Sequence, residues 1–184
     1  MNQEEQNWIN DCRRGKTEAF RLLVDKYQHF AYTLAVRITK NDEDAEEVTQ
    51  DAFVKAFKSL SGFKGESKFS TWFYKIVLHL AMTKVRRKKY DFQNIDEIRE
   101  AVEVDNDMQR KKDRTYYVEK AINSLPEDET AMVSLFYMEG QSVEDIAAVF
   151  NLSISNTKVK LFRARKKMAE VLQNELKENL YTIL

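Results

Sequence analysis

The sequence predicts an all-α protein of two small helical domains joined by a flexible linker. The 184 residues include only four glycines and one proline, and 33% of them are charged, a balance typical of mainly helical chains. Apolar residues recur at helical spacing on both sides of one acidic, aperiodic stretch. The predicted boundaries are a first domain over 1–90, a linker over 91–114 and a second domain over 115–184.

Charge is segregated along the chain although the net charge is zero. Residues 42–51 hold six acids in ten, and residues 158–167 hold six cations in ten, which marks two distinct surfaces. The single cysteine, Cys12, cannot form an internal disulfide, as expected in a reducing compartment. The start resembles no signal peptide and no apolar run is long enough to span a bilayer. These features predict a cytoplasmic protein without membrane insertion.

Two helices are predicted in the first half of the first domain. Residues 17–39 place apolar side chains at the spacing of an amphipathic helix. Asn41 is the predicted N-cap of a second helix that runs to about Leu60. One face of this helix is apolar, and another carries Glu47, Gln50, Asp51 and Val54 at i, i+3, i+4 and i+7. That second face suits a basic partner helix, and a solvated acidic face is the alternative. No histidine, nucleophile or glycine-rich loop accompanies these carboxylates, so the pattern does not indicate catalysis.

The stretch 63–89, FKGESKFSTWFYKIVLHLAMTKVRRKK, combines aromatic and cationic residues. A helix is predicted from Ser70 to Lys89. Aromatic faces stack on unpaired bases and cationic runs follow phosphate backbones, so the stretch suits the edge of an opened DNA duplex. A buried helix with a solvated basic tail is the alternative.

The second domain begins after an acidic segment, 91–107, that holds seven acids in seventeen residues and shows no steady period. Two short helices are predicted beyond it, one stopped at Pro126 and one that ends before Gly140.

A helix-turn-helix is predicted from 142 onward. Ser142 and Asp145 form a capping-box pattern, and Asn151 suits the left-handed residue of a tight turn. The next helix starts near Ser155 and turns Thr157, Leu161, Ala164 and Met168 inward. Its outward residues are Asn156, Lys158, Val159, Lys160, Phe162 and Arg163, as in a recognition helix for the major groove. A generic helical hairpin with a basic face is the alternative.

Three segments together resemble RNA polymerase sigma factors of the extracytoplasmic-function group in the sigma-70 family. DEDAEEVTQDAFVKAF, 42–57, is similar to the helix that binds the polymerase clamp. FKGESKFSTWFYKI, 63–76, is similar to the promoter-melting segment, and residues 122–167 resemble the domain that reads the −35 element. The resemblance covers nearly the whole chain, with the segments in the family's order.

This resemblance implies a protein that binds core RNA polymerase, directs it to promoters and helps melt the −10 region. The implied partners are the beta-prime clamp helices and beta flap of the polymerase, promoter DNA, and an anti-sigma factor, often membrane-bound. It implies no catalytic residue, metal or cofactor, and so no enzyme. The implied polymerase-binding residues are Asp44, Glu47, Gln50, Asp51 and Val54.

The resemblance also assigns residues to the two promoter elements. Those implied for the −10 element are Phe63, Lys64, Ser67, Lys68, Phe69, Trp72, Lys75, His79, Lys84, Arg86 and Arg87. Those implied for the −35 element are Asn156, Lys158, Val159, Lys160, Phe162, Arg163 and Lys167, with Lys160 and Lys167 expected on phosphates. The family commonly has Asn at 79 and Asp at 83, where this chain has His79 and Thr83. Lys158 and Lys160 replace frequent arginines, and lysine reads guanine less well.

Two other functions compete with this interpretation. A stand-alone helix-turn-helix regulator explains 142–167 but leaves the acidic face and the aromatic stretch without a role. A helical nucleotide hydrolase would use the carboxylates of 42–51 with a divalent metal. Such sites need carboxylates from several helices, whereas these acids crowd one region.

Overall fold

The computed structural model of the chain describes the backbone of residues 3–93 and 114–183, with side chains described for 3–90 and 116–175. The described residues form helices and turns and contain no strand, which confirms the predicted all-α fold. The helices are α1 (Gln3–Arg13), α2 (Glu18–Thr39), α3 (Asp42–Ser59), α4 (Phe69–Gln93), α5 (Arg114–Asn123), α6 (Glu127–Tyr137), α7 (Val143–Phe150) and α8 (Ile154–Ile183). The predicted linker, 91–114, lies almost wholly outside the described residues.

Helix α2 is the centre of the first domain, with α1, α3 and α4 packed around it. Its fully buried side chains include Leu23, Ala31 and Leu34, at the i, i+8, i+11 spacing that keeps one stripe on a single helix face. The sequence analysis did not predict α1. This helix is anchored by Ile9, which is fully buried.

The boundary between α2 and α3 forms as the sequence predicts. Lys40 ends α2 in the left-handed conformation, with φ of 53°. Asn41 then caps α3, because its side-chain oxygen accepts a hydrogen bond from the backbone N–H of Asp44 at 2.9 Å. A short 3-10 turn, Leu60–Gly62, follows α3 and leads into the loop before α4.

Helices α7 and α8 form the predicted helix-turn-helix. The hydroxyl of Ser142 accepts a hydrogen bond from the backbone N–H of Asp145 at 3.0 Å, which confirms the predicted cap. Asn151 is left-handed, with φ of 55°. Thr157 and Ala164 are fully buried on the inner face of α8, so the opposite face of that helix points away from the core.

The two domains pack against each other. Helix α6 lies against α2, and α7 lies against α4. Met132, Leu135 and Ile146 of the second domain belong to the same buried apolar cluster as the cores of α2, α3 and α4. A single hydrophobic core therefore continues from one domain into the other.

Candidate polymerase and nucleic-acid interfaces

The acidic face of α3 is a mixed acidic and apolar surface. Gln50 and Asp51 are exposed, and Val54 is 51% exposed. Glu47 is exposed too, although its carboxylate accepts a hydrogen bond from Lys84 at 2.5 Å. These four residues can be reached by a partner, as the sequence predicted.

Asp44, in contrast, is the buried member of the predicted polymerase-binding set. It is only 6% exposed and forms an ion pair with Lys88, with Lys84 at 3.6 Å from its other oxygen. The cause is its position in the first turn of α3, where it faces the basic end of α4. Asp44 therefore ties the two helices together in this structure, and its contact with polymerase stays a prediction.

Phe57 extends the α3 face and was missed by the sequence analysis. Its ring is 43% exposed and packs edge-on against Phe20, with the ring centroids 5.0 Å apart. The signal was present in the spacing, because position 57 follows Val54 by three residues on the same helix face. Val54 and Phe57 thus form an exposed apolar pair beside the acidic residues of α3.

The loop before α4 is held from beneath by aromatic rings, and two residues predicted to meet the −10 element are among them. Phe69 is fully buried and Phe63 is 4% exposed. The Phe69 ring stacks on Phe73 with centroids 5.8 Å apart and meets Phe63 edge-on at 6.0 Å. Both rings fill the core, so neither can reach a base in this structure. The polar residues between them led the sequence analysis to expect exposure, but the loop folds back and turns only those polar residues outward.

One face of α4 remains open to solvent. Lys75, His79 and Arg86 are exposed and recur at i, i+4 and i+11 from position 75. Trp72 begins this face half-buried, with its ring 5.1 Å from that of Phe63. Of the other residues predicted for this element, Lys64, Lys68 and Arg87 are exposed and Ser67 is half-buried. The structure therefore gathers aromatic, cationic and polar groups along one ridge.

The basic residues at the end of α4 do not all face the same way. Arg86 and Arg87 face solvent. Lys84 instead faces α3, where its hydrogen bond to Glu47 raises the pKa of its ammonium against the opposing effect of burial. Arg86 and Arg87 are thus exposed where the phosphate track is predicted, and Lys84 helps to hold α3 against α4.

The outer face of α8 carries exposed cations beside exposed apolar groups. Phe162 is 62% exposed and Val159 is 46% exposed, and Asn156, Lys158 and Arg163 are exposed around them. These side chains share the surface that a recognition helix turns to the major groove.

Lys160 and Lys167 differ from the other cations of α8. Lys160 pairs with Asp128 at 2.8 Å and Lys167 pairs with Glu129 at 2.9 Å. Both acids lie in the first turn of α6, where the helix dipole favours negative charge. The two lysines expected on phosphates are therefore engaged within their own domain.

Polar contacts that no sequence signal indicated join the two domains. The Asp145 carboxylate in α7 accepts hydrogen bonds from Lys68 at 2.6 Å and from Thr71 at 3.0 Å. Glu139, in the turn after α6, accepts one from Tyr74. Because each pair is separated by 65 residues or more along the chain, sequence spacing could not have predicted it.

The described ranges, 3–93 and 114–183, contain neither a membrane-spanning helix nor a cluster of metal-ligand side chains. No helix there is both long and apolar enough to cross a membrane. In the same ranges no three histidine, cysteine or acidic side chains come together as metal ligands.

Comparison with known proteins identifies both halves of the chain. Sigma-70 region 2 matches residues 23–90, and sigma-70 region 4 matches residues 116–168. The RNA polymerase sigma-H factor of Pseudomonas aeruginosa is 31% identical over 96% of this chain and 97% of the relative. The ECF RNA polymerase sigma-E factor of Escherichia coli K12 is 30% identical over 90% of this chain and 92% of its own. That of Haemophilus influenzae is 30% identical over 94% and 95%.

Two solved structures share the fold. The sigma factor RpoE from Bartonella quintana, solved in complex with the anti-sigma factor NepR, has a TM-score of 0.71 at 24% identity. The match covers 84% of this chain and 96% of that one. CnrH, solved with the cytosolic domain of CnrY, has a TM-score of 0.70 at 20% identity, over 93% and 98% of the two chains.

Proposed function

The chain belongs to the extracytoplasmic-function group of the sigma-70 family, and on that premise we propose how its two domains divide the work of a sigma factor. The protein binds core RNA polymerase, directs it to promoters and takes part in transcription initiation. The first domain, 1–90, binds the polymerase and opens the −10 region. The second domain, 115–184, reads the −35 element.

The observation that carries this division is the presence of three separate exposed surfaces on one chain. Two of them, on α4 and α8, carry cations beside aromatic or apolar groups. The third, on α3, is acidic with exposed Val54 and Phe57. A lone operator-binding protein needs the α8 surface only. A protein that must hold a polymerase and two promoter elements at once needs all three.

In the first domain, Glu47, Gln50, Asp51 and Val54 contact the beta-prime clamp helices. Acids around an apolar centre are complementary to a basic partner helix, and such complementarity gives both specificity and rapid association. Phe57 adds apolar area at the edge of the same contact.

The ridge formed by the loop and α4 contacts the −10 element. Trp72 is the wedge at the double-strand edge, because its partly exposed ring stands at the start of α4, next to the loop. The cations along the ridge meet phosphates, which position a protein on DNA without reading sequence. His79 supplies the polar contact in the middle of the ridge. Phe63 and Phe69 act from below by shaping the loop. The remaining DNA-facing residues are Lys64, Ser67, Lys68, Lys75, Arg86 and Arg87.

In the second domain, the outer face of α8 enters the major groove of the −35 element. Lys158 and Arg163 are exposed cations that can reach base edges or phosphates. Asn156, Val159 and Phe162 complete the contact with polar and apolar groups. The beta flap of the polymerase binds the same domain on another surface.

An anti-sigma factor is the further partner. The structure of RpoE, which has a similar fold, was solved with the anti-sigma factor NepR, and this supports the proposal. The sigma factor acts in the cytoplasm, where the polymerase is. It works through binding alone, with no catalytic residue and no cofactor.

Transcription in vitro with purified core polymerase on a fragmented genomic library tests the function. The chain should produce a defined set of start sites that share elements near −10 and −35. Core polymerase without the chain is the negative control. A chain that binds an operator tightly by itself, and yields no new start sites with polymerase, would be a stand-alone regulator instead.

A further inference from the structure

A shielded polar cluster connects the loop before α4 with the helix-turn-helix. The Asp145 carboxylate accepts hydrogen bonds from the Lys68 ammonium at 2.6 Å, from the Thr71 hydroxyl at 3.0 Å and from the Ser142 hydroxyl at 2.7 Å. Its side chain is 14% exposed, and Thr71 is buried. Burial opposes the charge of Asp145, but the hydrogen bonds outweigh it and lower its pKa. The carboxylate is therefore ionised and firmly held at neutral pH.

Lys68 and Thr71 form an anion site that Asp145 fills. An ammonium and a hydroxyl converge on the two oxygens of one carboxylate. These are the donor types that proteins direct at backbone phosphates, and charge-assisted hydrogen bonds to either anion are the strong ones. Lys68 is the last residue of the loop before α4 and belongs to the ridge proposed to meet opened DNA, and Thr71 lies beside it in the first turn of α4. Asp145 thus presents to that ridge the same chemistry as a phosphate.

With the two domains docked through Asp145, the chain is too short to contact the −10 and −35 elements of a promoter at the same time. The −10 and −35 elements lie about 25 base pairs apart, or ~85 Å at about 3.4 Å per base pair. Two domains of this size have radii of gyration of roughly 10–12 Å each, so the docked pair cannot reach both elements. The number of residues that separates Gln93 from Arg114 sets an upper limit of about 70 Å on the distance between these two helix ends. The chain can therefore reach both elements only after Asp145 leaves Lys68 and Thr71.

We propose that Asp145 occupies the place of a DNA backbone phosphate in the Lys68–Thr71 site and thereby holds the free chain in a closed state that binds DNA weakly. The inference rests on the proposed contact of Lys68 with the −10 region and adds Thr71 to it. Separation of the two domains removes the carboxylate and leaves the same two donors for a phosphate. The contact of Asp145 with Lys68 and Thr71 thus adds to the shared apolar core that holds the two domains together, and it blocks a DNA contact until the chain opens.

Two substitutions on the same helical turn test this proposal in the full-length chain. Asp145→Asn removes the charge at the site and keeps the side-chain shape. Glu144→Gln removes the same charge one residue earlier, where the side chain is exposed, and so controls for a general change in electrostatics. Binding of a labelled single-stranded oligonucleotide of mixed sequence is followed by anisotropy, and the radius of gyration by small-angle scattering. Lys68→Met is combined with Asp145→Asn to remove the phosphate donor.

Asp145→Asn should bind the oligonucleotide at least about fivefold more tightly than Glu144→Gln, the lower end of ordinary coupling between sites, and should be more expanded. In the Lys68→Met background the gain should disappear, while Lys68→Met alone should expand the chain without a gain in binding. Equal behaviour of Asp145→Asn and Glu144→Gln overturns the proposal, as does expansion without tighter binding. Wild-type transcription with core polymerase separates the two questions, because it persists if only the closed state is wrong and is absent if the sigma-factor function is wrong.

Discussion

The hydroxyl of Tyr74, in the middle of the first domain, donates a hydrogen bond to the carboxylate of Glu139, in the turn that follows α6 of the second domain. Tyr74 is fully buried, and burial together with this hydrogen bond raises the pKa of its phenol far above its ordinary value. Burial also raises the pKa of Glu139, against the opposing effect of the bond from Tyr74. A carboxylate is thus held where ionisation is unfavourable, at the junction of the two domains.

Glu139→Gln should therefore stabilise the chain at neutral pH. The folded-state pKa of Glu139 lies above its value of 4.5 in the unfolded chain, so folding is favoured below 4.5 and loses stability as pH rises through the folded-state pKa. Glutamine keeps an oxygen that accepts the bond from Tyr74 and carries no charge. Thermal unfolding at pH 7 should show a higher Tm for Glu139→Gln, and at pH 4 the two proteins should unfold together.

Tyr74→Phe is the matched control for that junction. It leaves the carboxylate without its hydrogen bond, so it should lower stability at pH 7 by about 1–3 kcal/mol. A Glu139→Gln protein that is less stable than wild type at pH 7 would show that the ionised pair is favourable, contrary to the direction argued from burial.

Asp44 and Asp51 should respond differently to alanine although both were predicted to bind polymerase. Asp44→Ala leaves Lys88 without its buried partner and should lower the free energy of unfolding by about 1.5–3 kcal/mol, the range for hydrogen bonds to charged groups. The side chain of Asp51 is exposed, so Asp51→Ala should change the free energy of unfolding by less than about 0.5 kcal/mol. Denaturant unfolding measures both.

Core-polymerase affinity should show the reverse pattern. Gln50→Ala with Asp51→Ala should weaken a pull-down with core enzyme while the fold stays intact. If Asp44→Ala lost more affinity than this double variant at a temperature where both are folded, Asp44 would contact the polymerase after all.

The sequence predicted the elements of this fold well because their signals are local. The cap at Asn41, the cap at Ser142 and the left-handed turn at Asn151 each depend on a few neighbouring residues, and all three were confirmed. Helical periodicity likewise located α2, α3 and α8 within a few residues. Interactions within one turn of helix leave a pattern that spacing can reveal.

The sequence could not predict which side chains the tertiary structure would take out of solvent. Phe69 stands beside a glycine-containing polar loop, yet its ring is fully buried because the loop folds over it. Lys167 stands in a basic run, yet it pairs with Glu129 38 residues away. The contact of Lys68 with Asp145 spans 77 residues. Such contacts depend on how helices pack and not on local composition.

Arg163 and Lys167 should separate base reading from structural pairing on α8. Arg163→Ala should change which −35 sequences the holoenzyme uses, since one good base contact is worth about 1–3 kcal/mol of discrimination. Lys167→Ala loses its pair with Glu129 and should cost about 0–1 kcal/mol of stability with the preference unchanged. A promoter-library readout measures preference for both variants. An unchanged preference for Arg163→Ala would remove it from the base-reading set.

Lys158 and Lys167 make a matched pair for the salt dependence of promoter binding. If exposed Lys158 contacts a phosphate, Lys158→Ala should reduce the slope of log K against log salt by about one. Lys167→Ala should leave the slope as it is, because its ammonium is engaged by Glu129. A lower slope for Lys167→Ala would mean that DNA displaces this carboxylate and recruits the lysine.

Phe69 and Trp72 should fail in different ways when truncated. Phe69 is fully buried among Phe63, Phe73 and Tyr27, so Phe69→Ala creates a cavity and should cost roughly 3–5 kcal/mol of stability. Its Tm should fall steeply, and a template with a pre-melted bubble at −10 should not restore transcription at temperatures where the variant unfolds.

Trp72→Ala should instead act mainly at the opening of the duplex. The centroid of its ring lies 5.1 Å from that of Phe63, so some stability is lost, but the side chain is only half-buried and its exposed part can meet a base. A base that stacks there forms the contact only after it leaves the duplex. The closed complex should therefore keep nearly its normal affinity, while the free energy of promoter opening becomes less favourable by about 1–3 kcal/mol.

Permanganate footprinting should show the loss of the Trp72→Ala open complex on intact promoters. It should show recovery on the bubble template, where the opening cost is already met. Trp72→Tyr, which retains a stacking face, should behave more like wild type than Trp72→Ala does. A Trp72→Ala defect that persists on the bubble template in a folded protein would assign the ring to packing alone.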